Sequence, residues 1–414
     1  MKKIYISAIF MLVAVLAHAG GFRVALQGQK QLAMGHTGVA VVNSPEVAFF
    51  NPAGMSFLNK KFSVSIGTNL IFSNISFQNE QYGWYEEANN PVVTPFSVYA
   101  TYQLNEWATV GIAVYTPYGS SVEYDKNWAG SHLVNDISLK AIFFQPTLSI
   151  KFNDRFSIGG GPIYANGSVN FNRNLDRATT NTEGERLNVT IDQTGISAWG
   201  YTLGMMFKPT TNITLGANYR SKIAMKAEGG EADFQNIPSN LQGQFSDGTF
   251  DAELPLPAEL TVGASYEIAD KWLIAFDYNR VFWDAYKALD VKFSNGLESI
   301  NPRNYKNSSV YRFGLQYKAN ERFVLRGGYY FDESPVQAGY FAPETPRNDS
   351  NNFTCGFSFN ISERFAIDAS FLYVHFDEID ASYDYYQENG SNVPFGGTYK
   401  NNAFIPGIGV TYGF

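Results

Sequence analysis

The chain has 414 residues, with 30 Lys and Arg against 38 Asp and Glu, so its formal net charge at pH 7 is −8. This acidic balance argues against nucleic acid as a partner, because polyanions are bound by clustered Lys and Arg. A single cysteine, Cys355, excludes an intrachain disulfide. Aromatic residues make up 16% of the chain, including 26 Tyr and 34 Phe, an enrichment typical of proteins that have a membrane interface.

The N-terminus predicts a secretory signal peptide over residues 1–19. Two lysines precede an apolar run over 4–16, and residues 17–19 are Ala-His-Ala, a small-x-small cleavage pattern. The apolar run is too short to span a bilayer, which needs about 20 residues, and no later apolar run is long enough either. An exported, aromatic-rich chain without a spanning helix favours an all-β transmembrane barrel in the outer membrane of a Gram-negative bacterium.

Strand patterns recur from residue 62 to the C-terminus, which predicts a barrel domain over 62–414. Apolar residues alternate with small or polar ones over 62–72 and again over 404–414. The last strand ends in Phe414, which resembles the signal recognised during barrel assembly. We therefore expect outer-membrane lipids and the barrel-assembly machinery as partners.

Tight turns of one recurring form separate pairs of these strands. Asn, Asp or Ser begins most of them, because their short side chains bond to the local backbone. The turns lie at 105–107, 153–156, 209–212, 270–272, 320–323 and 362–365. Six hairpins plus the first and last strands predict about fourteen antiparallel strands.

The other connections are long and polar, and lie at 73–95, 117–138, 171–195, 227–257, 284–308, 333–351 and 378–402. Short turns on one side and long loops on the other are typical of outer-membrane barrels. A soluble β-sandwich is one alternative, but it would not segregate loops this way. Two soluble β-domains are another, but no linker-like stretch supports them.

Residues 20–61 fit neither helix nor strand periodicity, and we expect them to form a plug inside the lumen. A fourteen-stranded lumen is too wide to be filled by wall side chains, since about 8 strands already suffice for that. A disordered periplasmic arm is the alternative, but it would expose Phe49, Phe50, Met55 and Phe57 to water.

Several stretches together resemble the FadL family of outer-membrane transporters for long-chain fatty acids and other hydrophobic compounds. They are 35–40 (Gly-His-Thr-Gly-Val-Ala), 50–55 (Phe-Asn-Pro-Ala-Gly-Met), 115–119 (Tyr-Thr-Pro-Tyr-Gly), 219–221 (Tyr-Arg-Ser), 254–257 (Leu-Pro-Leu-Pro) and 331–337 (Phe-Asp-Glu-Ser-Pro-Val-Gln). The resemblance implies that the N-terminal hatch closes the barrel. It places the gate at Phe49, Phe50, Asn51, Pro52 and Ala53.

The resemblance also implies a kink in the third strand that opens the wall sideways. The predicted third strand runs into Pro117, Tyr118 and Gly119, and neither proline nor glycine behaves as a normal ladder residue. These three residues are the predicted lateral gap. The alternative is that Pro117 and Gly119 only begin an extracellular loop.

A capture groove and a carboxylate site are further expectations of the resemblance. Phe234, Ile237, Leu241 and Phe245 are spaced as one helix face, although Pro238 and Gly243 make a collapsed loop an equal alternative. A cation near the inner pocket would pair with a ligand carboxylate. The basic residues that match or lie near the family's positions are Arg220, Lys306, Arg312 and Arg347.

Catalytic chemistry, a metal site and a cofactor are not expected. The three histidines after the signal peptide, His36, His132 and His375, stand in no recognisable nucleophile motif. We expect His36 to pack within the plug and His132 to be a solvated loop residue. The sequence thus favours passive uptake of hydrophobic molecules, most of all long-chain fatty acids, by loop capture, plug gating and lateral release. The alternatives are an aromatic hydrocarbon transporter and a surface adhesin or structural barrel.

Overall fold

A computed structural model of the chain describes residues 22–79 and 82–414. The predicted signal peptide over 1–19 lies outside the described residues, as does the start of the predicted plug. Within the described part, no helix is long and apolar enough to cross a membrane.

Fourteen antiparallel strands close into a barrel, so the predicted fold class is confirmed. The strands are β1 (Phe62–Asn69, continued by Phe72–Asn79), β2 (Phe96–Gln103), β3 (Ala108–Glu123), β4 (Asp136–Asn153), β5 (Phe156–Asn174), β6 (Asn188–Phe207), β7 (Ile213–Arg220, continued by Ile223–Gln235), β8 (Gly248–Leu256, continued by Ala258–Ile268), β9 (Trp272–Phe282), β10 (Ser308–Lys318), β11 (Phe323–Asp332), β12 (Ser350–Asn360), β13 (Phe365–Phe376, continued by Ile379–Tyr383) and β14 (Phe395–Gly413). The first and last strands close the ring, with Ile66 opposite Val410.

Loops on the side of the long connections carry further short strands. These are Trp84–Glu87, Val291–Phe293, Glu298–Ser299, Gln387–Glu388 and Ser391–Asn392. The segment Val291–Phe293 pairs with the outer part of β8 and extends the wall above β9.

Alternation along each strand separates a lipid face from a lumen face. On β6, the exposed side chains are Trp199, Tyr201, Leu203, Met205 and Phe207, whereas the intervening Thr202 and Met206 are buried. An outward apolar band flanked by aromatic residues is the expected surface of a barrel that spans the outer membrane. The buried face is then the lumen.

The predicted tight turns are found between the strands. In the β4–β5 turn, the Asn153 side-chain oxygen accepts hydrogen bonds from the amides of Arg155 and Phe156, both at 2.9 Å. Asn320 makes the same pair of bonds in the β10–β11 turn. The local chemistry of asparagine therefore fixes where these strands reverse.

Several predicted loops are shorter than the sequence suggested, because the strands continue beyond the apolar band. β7 extends to Gln235 and β8 begins at Gly248, where a loop over 227–257 was expected. In the outer part of β7, exposed Lys226 and Glu228 stand where apolar residues would face lipid. Side chains still alternate between the two faces of the strand there, but polar residues replace the apolar ones on the outward face.

The hatch, residues 22–61, contains three short helical segments and is otherwise irregular. They are α1 (Gln29–Leu32), α2 (Val47–Phe50) and a 3-10 helix (Pro52–Phe57). Apolar hatch side chains such as Leu32, Val39 and Val47 are completely buried. A segment too small to form its own core buries them against the inner surface of the barrel.

Candidate functional site

Barrel side chains bind the backbone of the hatch from several directions. The Asp277 carboxylate on β9 accepts hydrogen bonds from the amides of Gly38 and Val39 at 2.7 and 3.1 Å. On β4, the Gln145 amide donates to the carbonyl of Ala48 at 2.7 Å. Irregular backbone that is buried in the lumen requires such partners, because a buried N–H or C=O group without a hydrogen bond costs free energy.

The predicted gate residues lie at the centre of this contact. Asn51 is fully buried, and its side-chain amide donates to the carbonyls of Val39 at 2.8 Å and Met205 at 2.9 Å. Its oxygen accepts from the amide of Ala53 at 3.2 Å. Asn51 thus ties two parts of the hatch to each other and to β6.

Aromatic packing holds the other side of the gate. The rings of Phe49 and Phe50 meet edge to face at 4.8 Å, and Phe49 also meets Tyr115 of β3 at 4.7 Å. Pro52 follows as the first residue of the 3-10 helix, a position that proline favours. The gating role of 49–53 stays a prediction.

β3 contains a bulge at Thr116 and Pro117. Tyr115 pairs with Phe143 and Tyr118 pairs with Ala141, so two residues of β3 stand opposite Ile142 alone. A bulge is where a strand tolerates a proline, whose missing N–H interrupts the ladder.

The strand does not end at this kink. Gly119 pairs with Lys140, and β3 continues to Glu123. The expectation that Gly119 cannot pair, and the alternative that 117–119 begin a loop, are therefore wrong. Glycine pairs here because β4 supplies a regular edge beyond the bulge.

The start of the hatch covers the edge of β3 at the bulge. The Val24 amide donates to the Pro117 carbonyl at 2.8 Å, and the Gly119 amide donates to the Phe22 carbonyl at 3.2 Å. β2 pairs with β3 only up to Tyr115. Within the described residues, the hatch therefore occupies the part of the β3 edge with which β2 does not pair.

An apolar cavity lies in the outer half of the lumen. Its walls include Leu139, Val169, Ile196, Met225, Phe250 and Val291. Its volume is about 130 Å³, close to the roughly 150 Å³ of an apolar protein cavity that holds benzene. The cavity therefore suits an aromatic ring or one part of an alkyl chain.

Phe22 forms the floor of this cavity. Its ring lies 5.1 Å from Trp283, 5.7 Å from Tyr286 and 5.9 Å from Tyr118, measured between ring centroids. The next residue, Arg23, lines a second pocket on the other side. Phe22 thus separates the two spaces.

The second pocket is charged. Arg23 forms ion pairs with Glu259 at 3.2 Å and Asp332 at 3.1 Å. Arg220 donates to the Phe49 carbonyl at 3.1 Å, and its guanidinium lies 4.4 Å from the centre of that ring.

Arg220 and Arg312 both line this charged pocket and are 6% and 5% exposed. Neither forms an ion pair within the described residues, and the Nε atoms of both lack a hydrogen-bond partner. Burial, together with Arg312 and Arg23, holds the pKa of the hatch residue His36 well below its usual range. The local positive charge is therefore carried by arginine, and a carboxylate would be its natural complement.

The four predicted carboxylate ligands are only partly brought together. Arg220 and Arg312 share the charged pocket, whereas Arg347 instead donates to the carbonyl of Arg23 at 3.0 Å. Lys306 lies in a loop, where its amide bonds to the Pro335 carbonyl. The role of Arg220 and Arg312 in binding stays a prediction.

The predicted capture helix is absent from the described structure. Phe234 belongs to β7, and its ring packs against Phe245 and Phe293 at 5.9 and 5.3 Å. Ile237 and Leu241 are half-buried in the following loop. The helix prediction is wrong because strand alternation continues to Gln235 and Pro238 follows, which leaves the collapsed loop.

His132 is also not a solvated residue. It is 1% exposed and packs against Tyr386 and Phe395 with ring centroids 4.5 and 5.3 Å apart. Burial, assisted by Arg173, lowers its pKa to about 3. The long loops fold over one another, which the sequence does not reveal.

Three residues of the site were missing from the sequence-based candidates: Phe22, Glu259 and Asp277. A local signal existed for Glu259, because Leu260 and Val262 alternate as lipid-facing residues. A carboxylate in register with the lumen face is unusual and needs a partner. Phe22 carries no such signal.

Comparison with known proteins gives a family match over most of the chain. A profile described as "Outer membrane protein transport protein (OMPP1/FadL/TodX)" matches residues 10–414. The chain is 22% identical to the long-chain fatty acid transport protein of Salmonella typhi, over 73% of this chain and 74% of that protein.

Two crystal structures share the fold. The chain is 20% identical to a Pseudomonas aeruginosa FadL homologue, with a TM-score of 0.84 over 95% of this chain and 100% of that one. It is also 20% identical to the Ralstonia pickettii toluene transporter TbuX, with a TM-score of 0.68 over 94% and 98%. These likenesses show a common barrel architecture.

Proposed function

The chain belongs to the OMPP1/FadL/TodX family of outer-membrane transport proteins, and on this premise we propose that it carries long-chain fatty acids inward by passive diffusion. Transport of hydrophobic compounds across the outer membrane is the family's function. Beyond this family function, we propose the class of ligand and the route that it takes. The chain acts as a channel, without catalytic chemistry.

The juxtaposition of the two pockets carries this proposal. The apolar cavity and the pocket of Arg220 and Arg312 are neighbours, with Phe22 between them. A fatty acid has the same two parts, an alkyl chain and a carboxylate. Burial of the chain contributes about 0.8 kcal/mol per CH₂, and charge-assisted hydrogen bonds hold the carboxylate.

The route begins at the extracellular loops and leads into the apolar cavity. A shift of the hatch at Phe22 connects the cavity with the charged pocket and uncovers the β3 edge at Pro117. The ligand then leaves sideways into the membrane, so that its alkyl chain never crosses water. Outer-membrane lipids receive the ligand, and the barrel-assembly machinery inserts the chain.

Transport of aromatic hydrocarbons is the second candidate. The volume of the apolar cavity, about 130 Å³, favours a small ring, and the TbuX structure is described as a toluene transporter. A hydrocarbon has no use for the buried arginines, and for this reason we place fatty acids first. A surface adhesin would need neither pocket.

Uptake by cells that lack their own transporter tests the proposal. Labelled oleate, oleyl alcohol and toluene are compared at limiting concentration, with and without the chain. We expect the largest increase for oleate, because only oleate has a carboxylate for Arg220 and Arg312. An increase for toluene alone supports the second candidate, and an assembled barrel that raises no uptake contradicts transport of these compounds.

A further inference from the structure

β6 and β7 are unpaired over the middle of their contact. They pair over 188–192 with 231–235, and over 202–207 with 215–220. Between these stretches, the described residues 193–200 of β6 and 222–230 of β7 form no paired positions with each other. We call these two segments the seam.

Side chains replace part of the missing ladder. The Gln193 amide donates to the Glu228 carbonyl at 3.2 Å, near the outer end of the seam. At the inner end, the Tyr201 amide donates to the Ser221 hydroxyl at 2.9 Å. The strands therefore stay together at both ends of the seam, and their backbones are unpaired between.

Both strands stay paired with their other neighbours along most of the seam. Across their other edges, Ile196 of β6 pairs with Gly167, and Ile223 of β7 pairs with Leu256. Each seam segment thus presents one free strand edge, the feature that barrels otherwise eliminate.

Glycines with positive φ shape both edges. Gly195 has φ 73° and Gly229 has φ 68°, a region that other residues rarely adopt. The β5–β6 pairing shifts register next to Gly195, and the β7–β8 pairing shifts next to Gly229. The sequence therefore encodes the irregularity on both sides of the seam.

The inner side of the seam is the wall of the apolar cavity. Ile196 from β6, and Met225 and Ala227 from β7, are buried and line that cavity. Irregular backbone at membrane depth is tolerated where it is buried in protein or lines a water-filled cavity. The buried side chains of Ile196, Met225 and Ala227 cover the seam from the inside.

The outer side of the seam meets the margin of the lipid face. The exposed apolar side chains of β6 run from Phe207 up to Trp199, which is 67% exposed. The seam starts at this level, beside exposed Lys222, and extends outward to exposed Glu228. An apolar molecule in the outer leaflet would meet it there.

We propose that the seam is a second lateral portal, which connects the apolar cavity directly with the membrane and passes neutral apolar molecules the size of a benzene ring. The cavity volume of about 130 Å³ and the mostly apolar lining set this size and polarity. Such a molecule bypasses Phe22, the buried arginines and the hatch. The portal rests on the second candidate function, transport of aromatic hydrocarbons, and adds a route for these molecules.

The two lateral openings differ in what covers them. Hatch residues Phe22 and Val24 bond to the β3 edge at the bulge, so that opening depends on hatch movement. No hatch residue hydrogen-bonds to the seam within the described residues. Passage through the seam therefore does not require the hatch to move.

A reversible staple across the seam tests the portal. Ser197→Cys and Lys226→Cys are combined in a Cys355→Ser background and bridged by a bis-methanethiosulfonate, which a reducing agent removes. The control staple joins Leu203→Cys and Tyr219→Cys, which are paired positions on the same two strands. Initial rates of toluene and oleate uptake are measured in cells that oxidise toluene.

We expect the seam staple to lower toluene uptake to the rate of cells without the chain, with recovery on reduction. Oleate uptake and the control staple are expected to show no change. Toluene uptake that is insensitive to the staple, or absent from the unmodified chain, overturns the portal. Absence of oleate uptake alone instead contradicts the fatty-acid proposal, so the two failures are distinguishable.

Photolabelling of the unmodified chain gives a second readout that depends on no variant. A neutral aryl diazirine dissolved in vesicles should label Ile196 and Met225 as well as the lipid-facing Trp199. Labelling of Trp199 without Ile196 and Met225 overturns the portal.

Discussion

The inner and outer halves of the lumen are built on opposite principles. In the inner half, the hatch is held by polar contacts such as those of Asn51 and Asp277, so its backbone is fixed in one arrangement. In the outer half, mostly apolar side chains surround a cavity, and the charged groups in its lining include the ion pair of Arg303 and Glu344. We therefore propose that the barrier to polar solutes lies in the inner half, and that the binding of hydrophobic ligands begins in the outer half.

Substitution of Asn51 by Leu should loosen the hatch in the inner half of the lumen, and we expect this change to have the largest effect. It leaves the buried carbonyls of Val39 and Met205 without their partner, and each such group costs about 1–3 kcal/mol. We expect the hatch to loosen and the cells to become sensitive to vancomycin, which is too large and polar for a closed barrel. Asn59→Leu, at an exposed hatch position, is the control, and unchanged resistance in both variants would contradict the prediction.

Substitution of Arg312 by Gln should weaken the binding of a ligand carboxylate at the boundary of the two halves. Hydrogen bonds to a charged group contribute about 1.5–3 kcal/mol, so oleate affinity should fall about 10- to 100-fold. Toluene binding should not change. Titration with purified protein measures both, and Arg322→Gln in the exposed β10–β11 turn is the control. Equal losses for the two ligands would show that Arg312 acts through the fold and not through the carboxylate.

Substitution of Phe22 by Ala should remove the partition between the two pockets. The apolar cavity and the charged pocket would become continuous, and the initial rate of oleate uptake should rise severalfold. Phe57→Ala changes a hatch aromatic that packs under Lys208, far from this partition. A slower rate for Phe22→Ala would indicate that the ring guides the ligand and does not block it.

The smallest expected effect concerns the loop that ends at Asp349. Burial, together with Asp377 and Glu333, raises the pKa of Asp349 to about 8. The folded loop therefore favours the protonated acid, and this stabilisation is lost as pH rises from the usual range of Asp through about 8. Hydrogen exchange of residues 333–349, corrected for intrinsic rates, should be faster at about pH 9 than at about pH 6.

Substitution of Asp349 by Asn should abolish that pH dependence, because the amide is neutral at both pH values and keeps an acceptor for the Ser334 amide. If the pH dependence of hydrogen exchange persists in this variant, a group other than Asp349 is responsible for it.

The barrel was predictable from sequence because its signals are local. Asn153 and Asn320 mark turns through bonds to their own neighbours, and alternation marks the lipid face. A bulge lies at Thr116 and Pro117, where the sequence predicts a kink, and the pairing of Gly119 beyond it depends on β4. The capture helix was wrong because four apolar residues with helical spacing also fit a strand end followed by a collapsed loop.

The contacts between hatch and wall could not be predicted. Gly216 and Gly328 look like ordinary strand glycines, yet a Cβ on either would lie 2.0 Å from the Val39 carbonyl oxygen or 2.1 Å from the Gly35 amide nitrogen. The need for glycine at these positions comes from hatch residues that are far away in the chain. The same holds for Asp277, whose partners are hatch amides, and for the seam, which needs irregularities on two strands to coincide.

Deletion of Pro117 is the sharpest test of lateral release at β3. It leaves Thr116 alone opposite Ile142, so that β3 becomes regular and the wall closes at the bulge. We predict that oleate uptake falls to the rate of cells without the chain, while the folded barrel, checked by its heat-modifiable electrophoretic mobility, still binds oleate. Oleate uptake at the unmodified rate through such a closed barrel would contradict release at β3.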